Sequence, residues 1–138
     1  MKICSACSLG IKCRYNGRSK ANKNILKLAK KETLIPVCPE QLGGLPIPRG
    51  PYEIRENKVF SKNGEESTAA FLRGAREVLR IAKLLNCKEA IFKQRSPSCG
   101  CGEIYDGSFS GKVVAGDGIT TKLLKEHGIK VFSEEDLS

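Results

Sequence analysis

Apolar residues recur along the chain in two rhythms. Four short runs have the length and the bounding turn signals of buried strands: Met1-Lys-Ile-Cys4, Leu34-Ile-Pro-Val37, Glu89-Ala-Ile-Phe-Lys93 and Ile129-Lys-Val-Phe132. Between them the spacing becomes helical. Ile25, Leu26, Leu28 and Ala29 give residues 24–31 an apolar face. Phe71, Leu72, Ala75, Val78, Leu79, Ala82 and Leu85 form a stripe over Thr68 to Leu85, the longest predicted helix. A third helix spans Gly118 to Glu126, with Gly128 placed to end it. Tyr52 to Ser61 reads as a small hairpin turning at Glu56-Asn57. Ser5 to Asn22 reads as a glycine-rich polar turn. Residues 39–51, with four prolines and three glycines, read as an ordered loop without regular structure. Strands separated by helices predict an α/β fold with a parallel sheet and right-handed crossovers. The expected architecture is a single three-layer domain over residues 1–138, Rossmann-like or flavodoxin-like, with about four strands and a small β-hairpin excursion.

Composition narrows the class. Of 138 residues, 40% are hydrophobic and 28% charged, which excludes a disordered chain and a membrane-spanning one. No apolar stretch that could act as a secretory signal follows Met1-Lys2, so a cytoplasmic location is expected. The net charge of +9 is concentrated. Residues 1–31 hold nine Lys or Arg and no Asp or Glu, and the rest of the chain is balanced. Such a field suits an anionic partner, a nucleotide phosphate or an RNA backbone. A solvated helix face accounts equally well for Lys23, Lys27, Lys30 and Lys31. It accounts less well for Arg14, Arg18 and Lys20, which sit among turn residues.

Seven cysteines are many for a chain in a reducing compartment, and their number is odd. Metal or catalytic chemistry explains them better than a disulfide framework. Their placement is informative: Cys4 and Cys7 follow the first strand, Cys38 the second, and Cys99 and Cys101 the third. In an open parallel sheet those ends share the carboxyl edge, where ligands bind. Cys87, at a helix end, reads as a packing residue. Converging thiolates suit zinc or an iron–sulfur cluster, and spacing alone does not choose. Glu40, two residues after Cys38, is a candidate base or acid there. Ser96 and Ser98, flanking Pro97, are candidate proton relays or substrate ligands, each alternatively a turn hydrogen bond. His127, the single histidine, fits a helix C-terminus better than a metal site.

Val37-Cys-Pro-Glu-Gln-Leu-Gly-Gly44, together with Ser5-Ala-Cys-Ser-Leu-Gly10, Cys13-Arg-Tyr-Asn-Gly17 and Arg95-Ser-Pro-Ser-Cys-Gly100, closely resembles the short thiouracil desulfidases. The resemblance extends to Ile104-Tyr-Asp-Gly107, Gly116-Asp-Gly118 and Phe132-Ser-Glu-Glu135. It implies a 4Fe-4S cluster held by three cysteines, Cys7, Cys38 and Cys99, with one open iron, and catalytic roles for Glu40 and Ser96. Cys13 then lies beside the ligand set, and Cys4 and Cys101 outside it. The open iron, a soft Lewis acid, would accept the thione sulfur of a thiolated pyrimidine while Glu40 activates water. Ser96 would orient the ring or relay a proton. The cationic first segment points to a phosphorylated substrate, 4-thiouridine monophosphate, with Arg14, Arg18 and Lys20 as phosphate ligands and Arg95 a weaker candidate. A thiopyrimidine base or nucleoside remains open as substrate, and RNA is a less favoured partner.

Three other functions stay open on sequence grounds. One is a sulfur carrier or inserter in tRNA thiolation, although the chain lacks an ATP-binding glycine-lysine loop. Another is a zinc or iron–sulfur module that docks on RNA without turnover. The last is a thiol–disulfide oxidoreductase using Cys4 and Cys7.

Overall fold

A computed structural model describes residues 1–137. Four strands build the central sheet: β1 (Lys2–Ser5), β2 (Leu34–Val37), β5 (Glu89–Phe92) and β8 (Lys130–Ser133). They run parallel in the order β2-β1-β5-β8. The inner strands β1 and β5 are buried on both faces, as the middle of a covered parallel sheet requires, while β2 and β8 at the edges expose Pro36 and Phe132. Ile3 faces one side with Val37, Ala90, Phe92 and Val131. Its neighbour Cys4 faces the other with Ile91 and Ile25.

Helices cover both faces. α1 (Lys23–Ala29) covers the Cys4 side, with Asn22 capping it by accepting hydrogen bonds from the Asn24 and Ile25 amides at 2.9 and 3.1 Å. α3 (Thr68–Leu84) and α4 (Ile119–Glu126) cover the opposite side. Val78, Leu79 and Ala82 of α3 meet Leu124 of α4 over Ile3 and Phe92. The three layers, the parallel sheet and the helix positions agree with the expectation from hydrophobic spacing. Strand order adds what spacing does not give. The chain steps from β1 outward to β2, then returns to place β5 on the far side of β1. The carboxyl ends of β1 and β5 therefore flank a topological switch point, the usual ligand crevice of open α/β sheets.

The expected hairpin is β3 (Tyr52–Arg55) with β4 (Lys58–Ser61). Glu56 and Asn57 both have positive φ, 53° and 65°, which is the two-residue turn that matches strand twist. Two elements escape the sequence pattern. Residues 39–51 are not wholly irregular: Pro39–Leu42 forms a short helix, α2, started by Cys38 in extended conformation and by proline in the first turn. A single turn is too short to show helical periodicity. A second hairpin, β6 (Glu103–Tyr105) with β7 (Val113–Ala115), has strands of three residues, and all of β7 is exposed, so no alternation marks it. The Glu53 carboxylate fixes its loop by accepting hydrogen bonds from the Gly107 and Phe109 amides at 3.0 and 3.1 Å.

Candidate functional site

Three loops leave the carboxyl edge of the sheet, and each carries a cysteine. After β1 the chain makes a 3-10 turn, Ala6–Leu9, in which the Cys7 carbonyl accepts from the Gly10 and Lys20 amides at 3.2 and 3.0 Å. That turn returns Cys13 to the side of Cys7. After β2, Cys38 stands at the start of α2, and Glu40 follows in its first turn. α2 is seated backbone to backbone on α3. A Cβ on Gly43 would lie 2.0 Å from the Ala70 carbonyl oxygen, and one on Gly74 would lie 1.8 Å from that of Pro39. Only glycine at both positions allows this approach.

The third loop is held by the start of α4. Amides of Ile119 and Thr120 donate to the carbonyls of Pro97 and Ser98 at 2.8 and 2.9 Å, and the Thr121 hydroxyl donates to the Cys99 carbonyl at 2.9 Å. Gly118 makes room for this contact: a Cβ there would sit 2.4 Å from the Ser98 carbonyl carbon. Ser96 Oγ accepts from the Ser98 and Cys99 amides at 3.1 and 3.0 Å, which fixes the direction of the Cys99 side chain.

The loops enclose a cavity of about 370 Å³. Cys7, Cys13, Cys38 and Cys99 all line it. Glu40, Arg49, Lys93 and Ser96 also line it. Tyr15, Tyr52, Tyr105 and Phe109 add aromatic wall, joined by Arg14. The Glu40 carboxylate is fixed from two sides. Arg49 Nε donates to Oε1 at 3.0 Å, and Ser98 Oγ donates to Oε2 at 3.4 Å. The remaining Arg49 nitrogens donate to the carbonyls of Pro46 and Cys13, both at 3.1 Å.

The thiols differ in acidity. Cys38 is brought down to about 6, first by the Cys13 thiol donating to it, then by the Gln41 amide and the Arg49 guanidinium. Cys7 is lowered as well, again chiefly by the Cys13 thiol and also by Lys93 and Arg14. Cys13, whose proton is shared toward Cys38 and Cys7, is pushed up. Burial pushes Cys99 up, with the charges of Cys7, Glu40 and Cys38 adding to it. This is a soft donor set around a space, suited to metal binding because soft thiolates select iron–sulfur groups, zinc or cuprous ions. Among the described residues, no three His, Cys, Asp or Glu side chains gather tightly enough to hold one metal ion. Cys7, Cys13, Cys38 and Cys99 border one cavity, and this all-sulfur lining fits an iron–sulfur cluster.

The structure brings Cys7, Cys38, Cys99, Glu40, Ser96 and Arg14 to one cavity. Arg18 and Lys20 are exposed and outside its lining, because Arg18 lies beyond the Gly17 turn and Lys20 leads into α1. Arg95 is occupied by Glu103 and Glu135. His127 lies at the end of α4, its Nδ1 3.0 Å from the Leu123 carbonyl oxygen. Cys87 packs with Ile3 and Phe92 in the core. Cys101 Sγ donates to the Val131 carbonyl at 3.3 Å, away from the cavity. Cys4 is fully buried and pushed up to about 12 by burial, so it brings neither access nor thiolate to a Cys4–Cys7 exchange couple. Sequence reasoning missed Arg49, Lys93 and the aromatic wall. Arg49 left one signal, a lone charge inside Pro46-Ile-Pro-Arg-Gly-Pro51.

Comparison with known proteins finds similarity along nearly the whole chain. The chain is 41% identical to the uncharacterized protein YbbK of Bacillus subtilis (strain 168), over 100% of this chain and 98% of that protein. It superposes on a solved 4Fe-4S-dependent thiouracil desulfidase, TudS, with a TM-score of 0.93 and 43% identity, covering 99% of this chain and 91% of that one. The 2-thiouracil desulfurase family profile matches residues 3–136, and the chain belongs to that family.

Proposed function

We propose that the protein is a non-redox desulfidase that removes sulfur from a thiolated pyrimidine, giving the oxo-pyrimidine and hydrogen sulfide. The observation that supports it is the meeting of Cys7, Cys38, Cys99 and Glu40 at one cavity from three loops remote in sequence. Cys7, Cys38 and Cys99 are the proposed ligands of a 4Fe-4S cluster. When bound, the cluster supplies a soft Lewis acid with one open position for sulfur.

The chain's own groups do the rest. The aromatic wall takes the pyrimidine ring edge-on or stacked. Glu40, oriented by Arg49 and Ser98, takes a proton from water, whose oxygen attacks the ring carbon bearing sulfur. The carbon–sulfur bond breaks as the carbon–oxygen bond is completed, and no electron changes carrier. Ser96 Oγ accepts two amide protons, which leaves its own hydroxyl proton to donate toward the ring. Arg14, which lines the cavity, holds a 5′-phosphate, and the exposed Arg18 and Lys20 add to the surrounding positive field without touching it. The substrate class is therefore a thiopyrimidine nucleotide such as 4-thiouridine monophosphate.

Anaerobic reconstitution followed by sulfide-release assays on 4-thiouridine, its monophosphate and 2-thiouracil tests the proposal. Glu40→Gln keeps the brown absorption and loses turnover by about 10²-fold or more. Cys38→Ala loses both. Full activity in Glu40→Gln, or no sulfide from any of the three compounds, overturns it.

A further inference from the structure

The cavity contains four thiols, one more than the proposed ligand set uses. Cys13 is only 3% exposed, yet its setting differs from that of the other non-ligand cysteines. Cys4, Cys87 and Cys101 are outside the cavity wall, whereas Cys13 is part of it. It packs against Ala6 and Cys7, with Cys38 beside them. Cys38 Sγ lies 3.6 Å from the Cys13 carbonyl oxygen, and Arg49 donates to the same oxygen at 3.1 Å. Its backbone is pinned on either side: the Cys13 amide donates to Ile11 at 2.9 Å and the Arg14 amide to Arg18 at 3.0 Å. Rotation about the side chain is the freedom left to it, and that rotation takes place in the wall of the cavity.

We infer that Cys13 is an exchangeable fourth sulfur ligand: its Sγ closes the position left open by Cys7, Cys38 and Cys99 when substrate is absent, and yields it to the thione sulfur. The inference rests on the proposed function for its metal. On closing, the Cys13 S–H bond breaks, the proton passes to water and an iron–Sγ bond forms. On opening, that bond breaks, the thione lone pair replaces it, and Cys13 takes a proton back from water. No oxidant or reductant is involved. A bare iron in a cavity open to water would bind hydroxide or be lost, and an internal thiol prevents both without blocking a better sulfur donor.

The test uses the anaerobically reconstituted full-length protein and thiophenolate as probe, followed by visible absorption and by electron paramagnetic resonance of the reduced cluster. With the internal competitor removed, Cys13→Ala binds thiophenolate at least tenfold more tightly than wild type. It also loses iron several-fold faster in air, and Cys13→Ser, which keeps an oxygen donor, falls between. Unchanged thiophenolate affinity and iron loss in Cys13→Ala overturn the inference. So does complete failure of both variants to hold iron, which would make Cys13 an obligatory ligand. Sulfide release by wild type, measured on the same samples, separates the two proposals. Its absence sinks the desulfidase reading, whereas identical thiophenolate titrations sink only the role of Cys13.

Discussion

Every nitrogen of the Arg49 guanidinium has a protein partner, and the side chain is only 4% exposed. It ties the Glu40 carboxylate to the Cys13 carbonyl, so one residue sets the distance between the proposed base and the thiol wall. Arg49→Ala leaves the mostly buried Glu40 carboxylate without its cation, with only the Ser98 hydroxyl at 3.4 Å, and is expected to cost about 3 kcal/mol in urea unfolding. Arg49→Lys retains charge but not the planar fork. Its kcat for sulfide release falls about tenfold to a hundredfold, with a smaller change in KM. Equal kcat in wild type and Arg49→Lys contradicts the positioning role. The thiols offer a second residue-scale check. With Cys38 near 6 and Cys99 and Cys4 raised, metal-free protein at neutral pH holds Cys38 as thiolate and the other two as thiols. Iodoacetamide should therefore modify Cys38 first. Its rate rises as pH passes upward through about 6 and then levels off, while Cys4 and Cys99 react only on unfolding. Peptide mass spectrometry reads the order directly.

At the level of elements, the site depends on how α2 and the Cys99 loop are seated. Because Gly74 touches the Pro39 backbone, Gly74→Ala forces α2 off α3 and carries Cys38 and Glu40 with it. The expected result is a loss of about 1–3 kcal/mol in urea unfolding together with reduced iron content. Leu84→Lys, at the 80% exposed end of the same helix, stays within about 0.5 kcal/mol of wild type and loads normally. Comparable iron loss in both variants would argue against the seating. The same elements explain what was legible in the sequence. Runs such as Leu34–Val37 and the Phe71-to-Ala82 stripe announce themselves because burial on one or two faces imposes a period. The cysteines at three strand ends could be placed because a parallel sheet brings those ends together. α2, β6 and β7 could not, since one helical turn and a pair of three-residue strands, β7 wholly exposed, show no burial period and are fixed by tertiary contacts, the Gly43–Gly74 approach and the Glu53 carboxylate. Arg18 and Lys20 were grouped with Arg14 by proximity in sequence, but the Gly17 turn separates them from the cavity wall.

Over the whole molecule, charge is distributed unevenly. The excess of +9 belongs to residues 1–31, which border the cavity through Arg14 and Tyr15. A phosphorylated thiopyrimidine should respond to that field and a free base should not. Raising salt from about 0.05 to 0.5 M is expected to increase KM for 4-thiouridine monophosphate several-fold, leaving kcat unchanged and the KM for 2-thiouracil flat. Parallel salt curves for the two substrates would remove the phosphate-binding role of the first segment. Among the described residues no helix is long and apolar enough to cross a membrane.

The sheet order β2-β1-β5-β8 has one more consequence, for the life history of the protein. Cys7 and Cys38 leave the ribosome long before Cys99, and the strand that presents Cys99 wedges in next to the very first strand made. On the proposed ligation by Cys7, Cys38 and Cys99, a nascent chain exposes two of the three sulfurs before the third, and iron delivered then would meet an incomplete receptacle. That assignment predicts cofactor delivery only after the Cys99 loop has been made and the sheet has closed.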